Sequence, residues 1–111
     1  MPENQFNKQI QELQILEHTL QNVLMQKQSF QLEFNETQNA LDELSKTKGD
    51  VYKIIGGVMI KSNPADLTKE LEEKKKVLQL RIQSIEKQES SLEEKANSIR
   101  KEVQEQINKK S

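Results

Sequence analysis

The chain has 111 residues, 32% of them hydrophobic and 4% aromatic, with 17 basic and 18 acidic side chains, a net charge of −1 and no cysteine. An apolar content this far below the roughly 45–50% of compact domains excludes a thick globular core, leaving disorder or a narrow seam between helices, which needs only about two positions in seven. The interspersed, balanced charge gives no drive toward nucleic acid or an anionic membrane, and the lack of cysteine removes disulfides, thiolate metal sites and thiol nucleophiles and fits a reducing compartment.

The chain opens with MPENQFNKQIQE, which has no apolar stretch of the signal-peptide kind. No apolar run approaches the ~18–20 residues of a membrane helix. A soluble, cytoplasmic protein is expected, organised as one domain over 1–111.

Residues 3–48 contain no glycine or proline and are rich in Gln, Glu, Leu and Lys, all good helix formers. With Phe6 at heptad position a, that row continues through Leu13, Leu20, Lys27, Phe34 and Leu41. The d row is Gln9, Leu16, Val23, Phe30, Thr37 and Leu44. All but Gln9, Lys27 and Thr37 are apolar, a periodicity that excludes disorder and predicts a coiled-coil helix over 3–48.

Only Lys46 to Asp50 separates the last heptad from VYKIIGGVMIKS, where the pattern changes to β-branched and aromatic residues around Gly56-Gly57. A two-glycine turn between such runs predicts a β-hairpin over 51–62, with Ile55 facing Val58 and Lys53 facing Ile60. One face then presents Val51, Ile55, Val58 and Ile60, and the other Tyr52, Ile54 and Met59.

A second helix is predicted over 64–109, with Asn63 as N-cap, Pro64 at the first helical position and Asp66 in the first turn. Its seam rows are Leu71, Leu78, Ile85, Leu92, Ile99 and Gln106, and Lys75, Ile82, Glu89, Ala96 and Val103. Two helices of matched length joined by a short connection predict an antiparallel coiled-coil hairpin. Lys27 and Glu89 then fall in facing or adjacent layers. They either pair and help set the register or extend separately to water.

An isolated two-stranded hairpin is marginal in water, and one apolar on both faces invites edge-to-edge association. The helices spend their apolar stripes on each other, so burial of this hairpin requires other chains. The expected molecule is an oligomer joined through hairpins, with coiled coils as arms.

The order of NETQNALDELSK, the hairpin VYKIIGGVMIK and the second-helix stretch DLTKELEEKKKVLQLRIQSIEKQE resembles the prefoldin subunits. The likeness covers essentially the whole chain. It is to the β class, which has one hairpin, and most of all to its archaeal members; the α class has two hairpins and a longer chain. The link Lys46–Asp50 is short for the family. The resemblance implies a mainly α fold in which the β-hairpin interrupts the coiled coil and joins an intersubunit β-barrel. It further implies a heterohexamer with an α-class prefoldin subunit, two α to four β, and ATP-independent capture of unfolded client proteins at the coiled-coil tips. Delivery to a group II chaperonin would follow.

The expected tips are the helix ends furthest from the hairpin. They hold Phe6, Ile10, Leu13, Ile15 and Leu16 with Ile99, Val103 and Ile107. Ile10, Ile15 and Ile107 lie outside the strict seam, and the polar Gln9 and Gln106 suggest a seam that frays there. These residues either capture clients or simply close the coiled coil. The oligomerisation surface is expected at Val51, Tyr52, Ile54, Ile55, Gly56, Gly57, Val58, Met59 and Ile60, with Val77 and Leu80 packing against the assembled hub.

Little other chemistry is expected. His18 sits at an outward heptad position, and EEKKK at 72–76 reads as a solvated helix face. Gly56-Gly57 lacks the Lys-Ser/Thr of a phosphate loop. No catalytic set, metal-ligand spacing or cofactor site stands out, and an enzyme is not expected. The alternative to a chaperone is a structural coiled-coil adaptor that oligomerises through its hairpin.

Overall fold

The computed structural model describes the backbone of residues 2–110 and the side chains of residues 4–109. The element order is α1 (Pro2–Lys46), β1 (Val51–Ile55), β2 (Val58–Ser62) and α2 (Pro64–Lys110). Helix α1 stops two residues before the predicted end. The Thr47 hydroxyl donates to the Glu43 carbonyl at 2.7 Å, and its N–H bonds the Leu44 carbonyl at 3.4 Å, tightening the last turn before Gly49. Helix α2 begins as its cap dictates. Asn63 Oδ1 accepts the Ala65 N–H at 2.8 Å, and the Asn63 carbonyl accepts the Leu67 N–H at 2.9 Å.

The chain divides into two units, one formed by the chain ends up to Gln28 and from Gln83 onward, the other by Ser29–Ile82. In the chain-end unit, the cross-helix pairs Gln9–Gln106, Glu17–Arg100 and Lys27–Glu89 run in opposite sequence directions, so the helices are antiparallel. Val23, Ile85, Ala96 and Val103 are buried, and Ala96 has 0% exposure. Leu13, Leu16, Leu20, Leu92 and Ile99 are half-buried, as a two-stranded seam leaves its flanks in water.

The second unit repeats this packing below the hairpin. Leu78 and Thr37 are buried, with Phe30, Phe34, Leu41, Leu44, Leu71 and Ile82 half-buried. Thr37 is tolerated there because its hydroxyl donates to the Glu33 carbonyl at 2.8 Å. Across the same seam Lys75 lies over the Phe34 ring at 5.8 Å and Arg81 over Phe30 at 5.7 Å, and Lys74 pairs with Glu33 at 3.2 Å. Bulky rings on α1 are thus roofed by cationic side chains of α2. Every residue assigned to the seam of either helix is buried or half-buried.

Candidate functional site: the hairpin and the chain ends

The hairpin register is Val51↔Ser62, Tyr52↔Lys61, Lys53↔Ile60, Ile54↔Met59 and Ile55↔Val58, as the two-residue turn predicts. Gly56 and Gly57 have φ of 55° and 80°, the two positive values of the turn that matches strand twist. Partners share a face, so the faces divide as the sequence indicates. Val51 is buried, and Lys53 reaches Glu70 of α2 at 3.2 Å, anchoring the base of that face. Lys61 pairs with Asp50 at 3.6 Å. Beyond this base the apolar side chains stand in water. Ile54 is 70% exposed and Met59 65%, and Tyr52, Ile55, Val58 and Ile60 are also exposed. Val77 and Leu80 are exposed on α2 of the same unit.

In the chain-end unit the expected capture residues separate into two groups. Val103 is buried, and Phe6, Ile10, Leu13, Leu16 and Ile99 are half-buried, so these fill or flank the seam. Ile15, at 67% exposure, and Ile107 stand in water. The seam does not fray at its polar members. Gln106 Nε2 donates to Gln9 Oε1 at 3.1 Å, and Gln9 Nε2 donates to Glu102 at 2.6 Å. Two amides facing each other supply both donor and acceptor, so the helices stay joined where apolar packing ends. The sequence reading missed this closure, although glutamines ending both rows were its signal. It also passed over the exposed Leu24, Met25 and Leu32, which follow no seam or hairpin pattern.

Lys27 and Glu89 do pair, at 3.0 Å, with 23% and 18% of their side chains exposed. The hydrogen bond to Glu89 raises the Lys27 pKa above its ordinary 10.5. Burial opposes this, while the negative fields of Glu89, Glu86 and Glu93 add to it. His18 is exposed at its outward position. Among the described residues no group of acidic, histidine or cysteine side chains could hold a metal ion, and no helix is long and apolar enough to cross a membrane.

Comparison with known proteins places relatives beside this architecture. A family model described as prefoldin subunit matches residues 7–110. The prefoldin subunit beta of Thermococcus onnurineus is 35% identical over 95 residues, covering 84% of this chain and 82% of the relative. That of Saccharolobus islandicus is 32% identical over 103 residues, covering 91% and 82%. The crystal structure of the prefoldin beta subunit from Thermococcus strain KS-1 superposes with a TM-score of 0.84 at 33% identity, covering 91% of this chain and 90% of that one.

Proposed function

This chain belongs to the prefoldin family of chaperones, and from that premise we propose that it is an ATP-independent holdase subunit that captures unfolded proteins and passes them to a group II chaperonin in the cytoplasm. The observation that carries the reading is the hairpin. Ile54, Ile55, Val58 and Met59 are all exposed on a two-stranded sheet whose helices have already used their seams. Such a surface is stable only when other hairpins cover it. The matching assembly is two α-class and four β-class subunits joined through their hairpins.

Capture belongs to the chain-end unit, where Ile15 and Ile107 offer apolar surface that the seam does not need. Each such surface binds weakly and without sequence specificity. Several held around one space raise the effective concentration of binding sites, which turns weak contacts into retention. The rival adaptor reading calls for a defined aromatic and polar hot spot. Phe6 is the sole aromatic residue among the described residues of this unit.

The test is to mix the chain with an α-class subunit, size the product, and follow aggregation of an unfolded protein without ATP. Assembly with suppressed aggregation is expected; failure to assemble overturns the reading. Removal of residues 1–10 and 104–111 should abolish suppression while the complex keeps its size. Full activity after that removal overturns the assignment of capture to the chain ends.

A further inference from the structure

The outer face of α1 in the chain-end unit departs from the rest of the molecule. In a chain with 32% charged residues, α1 exposes none from His18 to Gln28, since Lys27 is turned to Glu89 at 3.0 Å. Helix α2 of the same unit exposes Glu86, Lys87, Glu93, Glu94 and Lys95 over a comparable length. Charge alone keeps that outer face in water, so an uncharged one on α1 needs another reason. On it Ile15 and Met25, outside the seam, are each 67% exposed.

Ile15, His18, Asn22 and Met25 follow one another at steps of three, four and three residues, and all four are exposed. That spacing repeats the seam's own rows on the back of the helix, as one stripe along α1. Its order is apolar, polar, polar, apolar, so the stripe reads the same from either end. A second copy laid antiparallel therefore sets its Met25 on Ile15 and its Asn22 on His18. Two-fold symmetry supplies the reverse pairs. Imidazole and amide each offer a donor and an acceptor, whereas parallel pairing would set imidazole on imidazole and align the two helix dipoles. The borders match as well. Gln14 and Gln21 stand along one side and Thr19 and Gln26 along the other, so no charge is buried. Amides of facing helices already close this chain's own seam, at Gln9 and Gln106.

We infer that the stripe Ile15–His18–Asn22–Met25 is a self-association surface, on which α1 of a second copy docks antiparallel. Two apolar side chains per copy fall far short of the roughly 20–30 residues a side of a stable interface. A single contact is therefore weak, and it holds where several copies engage together. The inference does not require the capture reading. Arms that pair in this way without suppressing aggregation leave the stripe standing and sink capture alone.

The chain has no cysteine, so introduced thiols report only on their own positions. Full-length His18→Cys and Asn22→Cys chains are mixed, oxidised mildly and analysed by mass spectrometry. Both positions are exposed, so both variants should fold. The mixed disulfide is expected to exceed either homodimer several-fold. Gln11→Cys, whose two copies stand about 27 Å apart in the antiparallel pair, should not join to itself. Sedimentation of the full-length chain over a range of concentrations gives the second readout. Met25→Lys should weaken self-association about tenfold, the loss of one apolar anchor. Absence of the mixed disulfide, self-joining of Gln11→Cys, or unchanged sedimentation of Met25→Lys overturns the proposal. Loss of client retention by Met25→Lys with self-association intact gives the stripe to clients and overturns it too.

Discussion

Ala96 shows how a single seam position sets helix spacing. It lies in the seam row between Glu89 and Val103 and has no exposed surface, so the opposing helix approaches it closely. Ala96→Leu has nowhere to put its added methylenes and should cost about 1–3 kcal/mol by overpacking, read as a fall in melting temperature. Leu78, 2% exposed, fails in the opposite sense. Leu78→Ala leaves a cavity worth about 2–5 kcal/mol. The Lys27–Glu89 pair makes a prediction in pH. Because the folded state raises the lysine pKa above 10.5, its contribution is complete below that value and is lost as pH rises through the folded pKa. Thermal melts carried from neutral into alkaline solution should therefore fall more steeply for wild type than for Glu89→Gln. Equal slopes would mean that the pair adds nothing to stability.

At the scale of the element, the hairpin depends on its turn more than on its strands. Both glycines have positive φ, and a Cβ at either would meet no atom within 4 Å, so the cost of substitution is backbone strain and not collision. Gly56→Val and Gly57→Val should each cost about 1–2 kcal/mol, enough to disorder a two-stranded sheet that is marginal alone. Cross-strand amide contacts seen by NMR should vanish while helical circular dichroism persists. Gly56→Asn should be milder, since asparagine accepts the left-handed region. The helices are less sensitive at any one point, because their caps and seams distribute the stability over α1 (45 residues) and α2 (47 residues).

At the scale of the whole molecule, the proposed assembly predicts separable lesions. Ile54→Glu places a charge on an exposed hairpin face without touching a seam residue. It should leave the subunit helical but reduce the sedimenting species to a smaller size. An unchanged size would exclude that face from assembly. Sequence alone determined the two helices, the hairpin and its register, because each rests on a local rule: a seven-residue apolar repeat, a capping asparagine, a glycine pair that admits positive φ. It also indicated that Lys27 and Glu89 fall in facing or adjacent layers of the seam, but left open whether they pair, which the 3.0 Å contact decides. Only tertiary structure decided what depends on side-chain contact across that seam. Gln9 and Gln106 look like a fraying end until their amides are seen to bond. Periodicity records which face a residue occupies; the depth of that face is set by what stands opposite.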